Sequence, residues 1–168
     1  MNNLFRPAIP EGFEQLGDIV VPTGAIMLVT HDALSKKIKE VQYYKNMFVT
    51  AGKNSLADAL RGTTENNKGI ITYHANGTSI VAPALSDTDL GTELFRKLIS
   101  VRSVANNVAT FQTFFTTSES NGTIREMGLF GDDASSIPGS GTLFCHASVN
   151  RTKSSSDTLT ASWAVTIG

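Results

Sequence analysis

The chain has a single cysteine, Cys145. This excludes an intramolecular disulfide framework and a cysteine-based zinc site. Charge is also scarce, at 17% of residues against a typical ~25%. Fourteen Lys and Arg almost cancel fifteen Asp and Glu, leaving a net charge of -1 and a pI of about 6.3. That balance excludes the basic footprint of an electrostatic nucleic-acid binder, whose domain pI usually exceeds ~9. No stretch approaches the ~18 apolar residues that a membrane-spanning helix needs. The opening Met1-Asn2-Asn3-Leu4-Phe5-Arg6-Pro7 lacks the basic start and apolar run of a secretory signal, so the chain is expected to stay in a cytosol or leave it by lysis. The sequons at Asn76, Asn121 and Asn150 then read as turns.

What is present is enough for one domain. With 168 residues the chain can bury roughly two-thirds of its unfolded surface without a metal or a staple. Residues 1–18 differ from the rest. Pro7, Pro10 and Gly12 interrupt any regular element, while Leu4, Phe5, Ile9, Phe13 and Leu16 are scattered apolar anchors. A solvated tail is more polar than this. The segment reads as an extended arm, its apolar side chains laid either on a neighbouring subunit or on its own domain, and residues 19–168 read as one β domain.

Within that domain the patterns are mostly those of strands. Residues 19–30 and 38–48 read as a hairpin, with Pro22 and Gly24 marking a break. Residues 50–62 read as a short helix, capped by Thr50, with Leu56, Ala59 and Leu60 on one face and Gly62 at the stop. A strand over 69–75 is closed by Asn76-Gly77, and another follows near Leu98 to Ser103. Val108 to Thr117 and Thr123 to Phe130 read as strands joined through the favoured turn Asn121-Gly122. Along residues 142–149, Leu143, Cys145, Ala147 and Val149 share a face. The last run has the purest period of two: Leu159, Ala161, Trp163, Val165 and Ile167 alternate with Thr160, Ser162, Ala164 and Thr166. Slipping it by one residue would put Trp163 in water. Short strands with turns every ~8–12 residues predict a mainly β fold, an antiparallel β-sandwich of jelly-roll-like or Ig-like type. One short helix near residues 50–61 and the extended N-terminal arm complete it.

The residue types that carry chemistry are dispersed. His31, His74 and His146 form no HxH or HxxxH pair, so no metal site is expected. Cys145 sits mid-strand at an apolar position and reads as a core thiol. No GxSxG elbow, phosphate loop or GxGxxG is present, so no cofactor and no catalytic residue is assigned. Asp87-Thr88-Asp89 lacks the further oxygen ligands and distal Glu of a calcium loop, and Asp87 reads as a turn cap. Lys36, Lys37 and Lys39 read as a solvated hairpin tip. Glu119 and Glu126 flank a turn. Glu126 shares a strand face with Ile124 and Phe130, an unusual place for a carboxylate, and a pairing with Arg96 is the expectation.

Three segments, in order, carry a resemblance. They are residues 46–60 (NMFVTAGKNSLADAL), residues 82–96 (APALSDTDLGTELFR) and residues 122–131 (GTIREMGLFG), the last followed by Gly141-Thr142-Leu143-Phe144 and by Leu159-Thr160-Ala161-Ser162-Trp163. Together they resemble small virion structural proteins of tailed bacteriophages, over roughly residues 38–168. The resemblance implies a virion part with no catalytic residues, labelled in that group as head decoration, tail or tail-fibre protein. A fibre role is disfavoured by the absence of long repeats.

The expectation is therefore a non-enzymatic capsid decoration (cement) protein, located in the virion after assembly in the host cytoplasm. It would associate with itself, as a trimer, and with the major capsid protein or other virion proteins, but not with nucleic acid or membrane. Leu4, Phe5, Ile9, Phe13 and Leu16 would form the partner interface. One alternative is a tail or baseplate component to which fibres attach. A second, from another class, is a carbohydrate-binding module, which would need some of Tyr43, Tyr44, Tyr73 and Trp163 exposed for stacking.

Overall fold

A computed structural model describes residues 23–62 and 67–167. Over these residues the fold is mainly β, with one short helix. In chain order the elements are β1 (Thr23–Asp32), β2 (Ile38–Phe48), α1 (Thr50–Leu60), β3 (Ile71–Gly77), β4 (Glu93–Leu98), β5 (Val101–Ala105), β6 (Val108–Phe115), β7 (Gly122–Gly131), β8 (Thr142–Lys153) and β9 (Asp157–Thr166). All nine strands are antiparallel to their neighbours, in the order β4-β3-β7-β8-β2-β1-β9-β6-β5.

The sheet curls into a sandwich-like shape at two corners. At the first, β2 and β8 share only two register pairs, Met47↔His146 and Phe48↔Cys145. At the second, the chain passes straight from edge strand β4 to edge strand β5. There the Ile99 amide donates to Thr72 O in one half of the sheet, and the Ser100 amide donates to Gln112 O in the other, at 2.9 and 2.8 Å. The expected β-sandwich is thus built from one folded-over sheet, whose two halves enclose a common core.

That core holds Trp163, Phe115, Phe111, Phe144, Ile124, Met127, Leu129 and Leu159, drawn from both halves. Each such side chain, fully buried, contributes roughly 1.5–3 kcal/mol. The alternation holds along β9, where Leu159, Ala161, Trp163 and Val165 are buried, but Ile167, just beyond the strand, is exposed rather than on the core face. Cys145 is also buried, and burial pushes its thiol far above the usual range. The β1–β2 hairpin forms, though residues 19–22 lie outside the described residues. So does the arm with Leu4, Phe5, Ile9, Phe13 and Leu16.

Several local readings are corrected. β6 and β7 do not pair across Asn121-Gly122. β6 lies between β5 and β9, and β7 between β3 and β8, so residues 116–121 carry the chain from one half of the sheet to the other. Asn76-Gly77 is a bulge at the end of β3 opposite β4, and Asn150 lies within β8, so neither is a turn. In α1 the N-cap is Val49, and no side chain caps the helix. Its buried residues are Gly52 and Ser55, while Leu60 is exposed. The helix docks through its first turns. A Cβ on Gly52 would stand 2.6 Å from Phe144 Cα, so only glycine permits that approach. Gly62 does adopt the left-handed stop, at φ 79°.

Candidate interaction site

The segment between β3 and β4, residues 78–92, has no regular structure and lies over β7 and β8. A loop of this length needs partners for its backbone amides. Glu126 supplies them. Its Oε1 accepts from the Ser79 and Thr92 amides at 3.1 and 2.9 Å, and its Oε2 accepts from the Gly91 amide at 3.0 Å. The same Oε2 lies 3.1 Å from His146 Nε2 on β8. The other ring nitrogen, Nδ1, lies 2.7 Å from Asp87 Oδ2, which also accepts from the Ala84 amide at 2.8 Å. A carboxylate only accepts, so each nitrogen of the ring faces an acceptor, Glu126 on one side and Asp87 on the other.

This row of Asp87, His146 and Glu126 therefore ties both ends and the middle of the loop to the sheet. Glu126 and His146 are buried. Both oxygens of Glu126 and both nitrogens of His146 have partners within the protein, and these bonds position the loop on the sheet. A buried charge is tolerated because charge-assisted bonds surround it.

A second fixed point lies alongside. Arg96 on β4 grips Glu93 through two bonds of 2.8 and 2.7 Å, donates to Ser140 O at 2.8 Å and stacks 4.0 Å over the Phe130 ring. The expected Glu126–Arg96 pair is corrected by this geometry: Arg96 takes Glu93, and Glu126 takes His146 and three amides. The 93–96 and 136–138 segments border a shallow cavity of about 280 Å³. All three guanidinium nitrogens of Arg96 already have acceptors.

The tethered loop is apolar on its outside. Ile80, Val81 and Leu85 are 85%, 70% and 52% exposed. The Thr50 amide at the start of α1 donates to Leu85 O at 2.9 Å, and the Val49 amide donates to Phe144 O at 2.9 Å. The 46–60, 82–96 and 122–131 segments, far apart in sequence, thus meet in one assembly around Glu126. A fixed loop that shows large apolar side chains to solvent is a surface prepared for contact.

Other candidate residues lie elsewhere. Glu119 bonds Lys97 at 2.7 Å, far from any pairing with Glu126. Lys39 bonds Asp157 at 2.6 Å and is not a free member of a basic cluster. Asp89 caps its neighbouring Leu90 amide at 2.8 Å. His74 is fully buried, edge-on to Phe115 and Trp163. Among the described residues, no group of three or more His, Cys, Asp or Glu is placed to hold a metal ion. No helix among them is long and apolar enough to cross a membrane. Sequence reasoning missed His146. Its signal was a polar residue inside the run Leu143 to Val149, a run whose residues 143–147 are all buried. No protein-family profile, curated protein or solved structure matches the chain.

Proposed function

We propose that this protein is a non-enzymatic structural part of a tailed-bacteriophage virion, and specifically a capsid decoration protein. It would work by fitting against copies of itself and neighbouring capsid subunits. The reading rests on the resemblance of the three segments. The observation that carries it is their convergence: the residues that bear the resemblance build one pinned loop with an apolar outer face. Chemical turnover needs reactive groups open to substrate, whereas cohesion needs a stiff contact surface. The arm of residues 1–18, with Leu4, Phe5, Ile9, Phe13 and Leu16, would clamp a neighbour, and closed symmetry would multiply weak contacts.

Two measurements test this. Electron microscopy of labelled virions should place the protein on the head. A label at the tail tip or baseplate would replace the decoration role with the tail role. Deleting residues 2–17 should abolish binding to empty capsids while leaving a folded core, and retained binding would refute the arm's part. Of the rings that the carbohydrate-binding alternative needs, Trp163 is buried and the Tyr44 hydroxyl is tied to the Asn150 backbone, while Tyr43 is 52% exposed. A glycan array with several hits would favour that alternative.

A further inference from the structure

Lys153, at the end of β8, is 1% exposed. A buried ammonium normally sits against a carboxylate. Here Nζ donates instead to a neutral carboxamide, Asn121 Oδ1, at 2.8 Å, and to Ser154 O at 3.5 Å. Among the described residues no carboxylate lies within ion-pair distance of it. The juxtaposition is fixed by the sheet, since Lys153 is the register partner of Gly122, the residue after Asn121. The carboxamide is fixed too: its Nδ2 donates to Thr117 O at 2.8 Å, which turns Oδ1 towards the lysine.

We propose that Lys153 and Asn121 are the site of an intramolecular isopeptide bond. The neutral amine attacks Asn121 Cγ, the Nζ–Cγ bond forms, and the Cγ–Nδ2 bond breaks. One proton passes from Nζ to the departing nitrogen, which leaves as ammonia. The amine and the carboxamide each begin with two N–H hydrogens. The product amide keeps one, and ammonia carries away three. No oxidant or co-reactant is required.

Three features favour the step. Burial pushes the Lys153 amine below the usual lysine range, against the opposing fields of Asp157 and Glu119, which favours the nucleophilic neutral form. The reacting groups are held together by the fold, so the reaction is intramolecular. Asn121 is exposed on its outer side, which gives ammonia a path to solvent. The bond would join the start of β7 to the end of β8, opposite the 132–141 connection, and so close both ends of that strand pair. The inference does not depend on the virion reading.

The test is the intact mass of the full-length protein after folding, followed by peptide mapping. The expected result is a mass lower than the sequence mass by one ammonia, with a branched peptide linking residues 121 and 153. Lys153→Arg and Asn121→Ser should each restore the sequence mass. Asn121→Ser changes an exposed side chain and so keeps the comparison valid if Lys153→Arg fails to fold. An unmodified mass for the parent protein would overturn the proposal. So would ammonia loss confined to Asn121-Gly122 as a hydroxylamine-sensitive succinimide.

Discussion

His74 shows how much one residue contributes to the response to acid. Its ring is fully buried between Phe115 and Trp163, and burial alone drives its pKa down from 6.5 to about 3. The unfolded chain therefore takes up a proton before the folded one does. Stability contributed by the neutral ring is complete above pH 6.5 and falls as pH drops towards 3, by about 1.4 kcal/mol per unit. Urea unfolding at pH 7, 6 and 5 should show a steeper loss for the parent than for His74→Leu. Parallel curves would mean that His74 titrates alike in both states. A second acid-sensitive group takes over lower down. Asp157 is held at about 2 by its bonds to Lys39 and Ser154, so its stabilisation is present above pH 3.8 and is lost as pH falls towards 2.

At the scale of elements, the 78–92 loop and α1 make opposite demands on their anchors. The loop depends on a charge. Glu126→Gln keeps the shape but removes the carboxylate that three amides and His146 share. A destabilisation of about 3 kcal/mol is expected, together with faster hydrogen exchange at the Ser79, Gly91 and Thr92 amides than at the β1–β9 ladder. Uniform acceleration across both regions would show that Glu126 does not tether the loop. The helix depends on an absent side chain. Gly52→Ala gains about 1 kcal/mol of helix propensity. The new Cβ, however, meets the Phe144 backbone at 2.6 Å, and overpacking costs roughly 1–3 kcal/mol. A net destabilisation is expected because backbone cannot swing aside, and a raised urea midpoint would contradict the docking.

For the whole molecule, the decisive fact is that, among the described residues, the first strand lies beside the last. β1 pairs with β9 from Thr23↔Thr166 to Asp32↔Asp157, and β9 also pairs with β6. The half of the sheet formed by β2, β1, β9, β6 and β5 is not complete until β9 arrives between β1 and β6. Deleting residues 158–168 should therefore abolish cooperative unfolding rather than trim the edge, as circular dichroism during heating would show. A truncated chain that still melts cooperatively would mean that β9 is peripheral. Folding should also be slow, in the range of milliseconds to seconds, because the pairing is non-local. Stopped-flow refolding in microseconds would contradict this topology.

Local pattern was enough for the β class, the hairpin of β1 and β2, the position of the helix and the buried face of β9. Those features repeat every two or 3.6 residues and involve neighbours in sequence. The partners of β6 and β7 were a different matter. Asn121-Gly122 favours a hairpin, but Phe111 and Phe115 enter the core from one half of the sheet and Ile124 and Leu129 from the other. Glu126 stood out on an apolar face, but its partner could not be read, because His146 and the three amides converge only when β7, β8 and the 78–92 loop are stacked. Alternation along a strand is set by bonds within the chain. Which strand lies next to which, and which charge finds which donor, is settled by the total area removed from water when the sheet closes on itself.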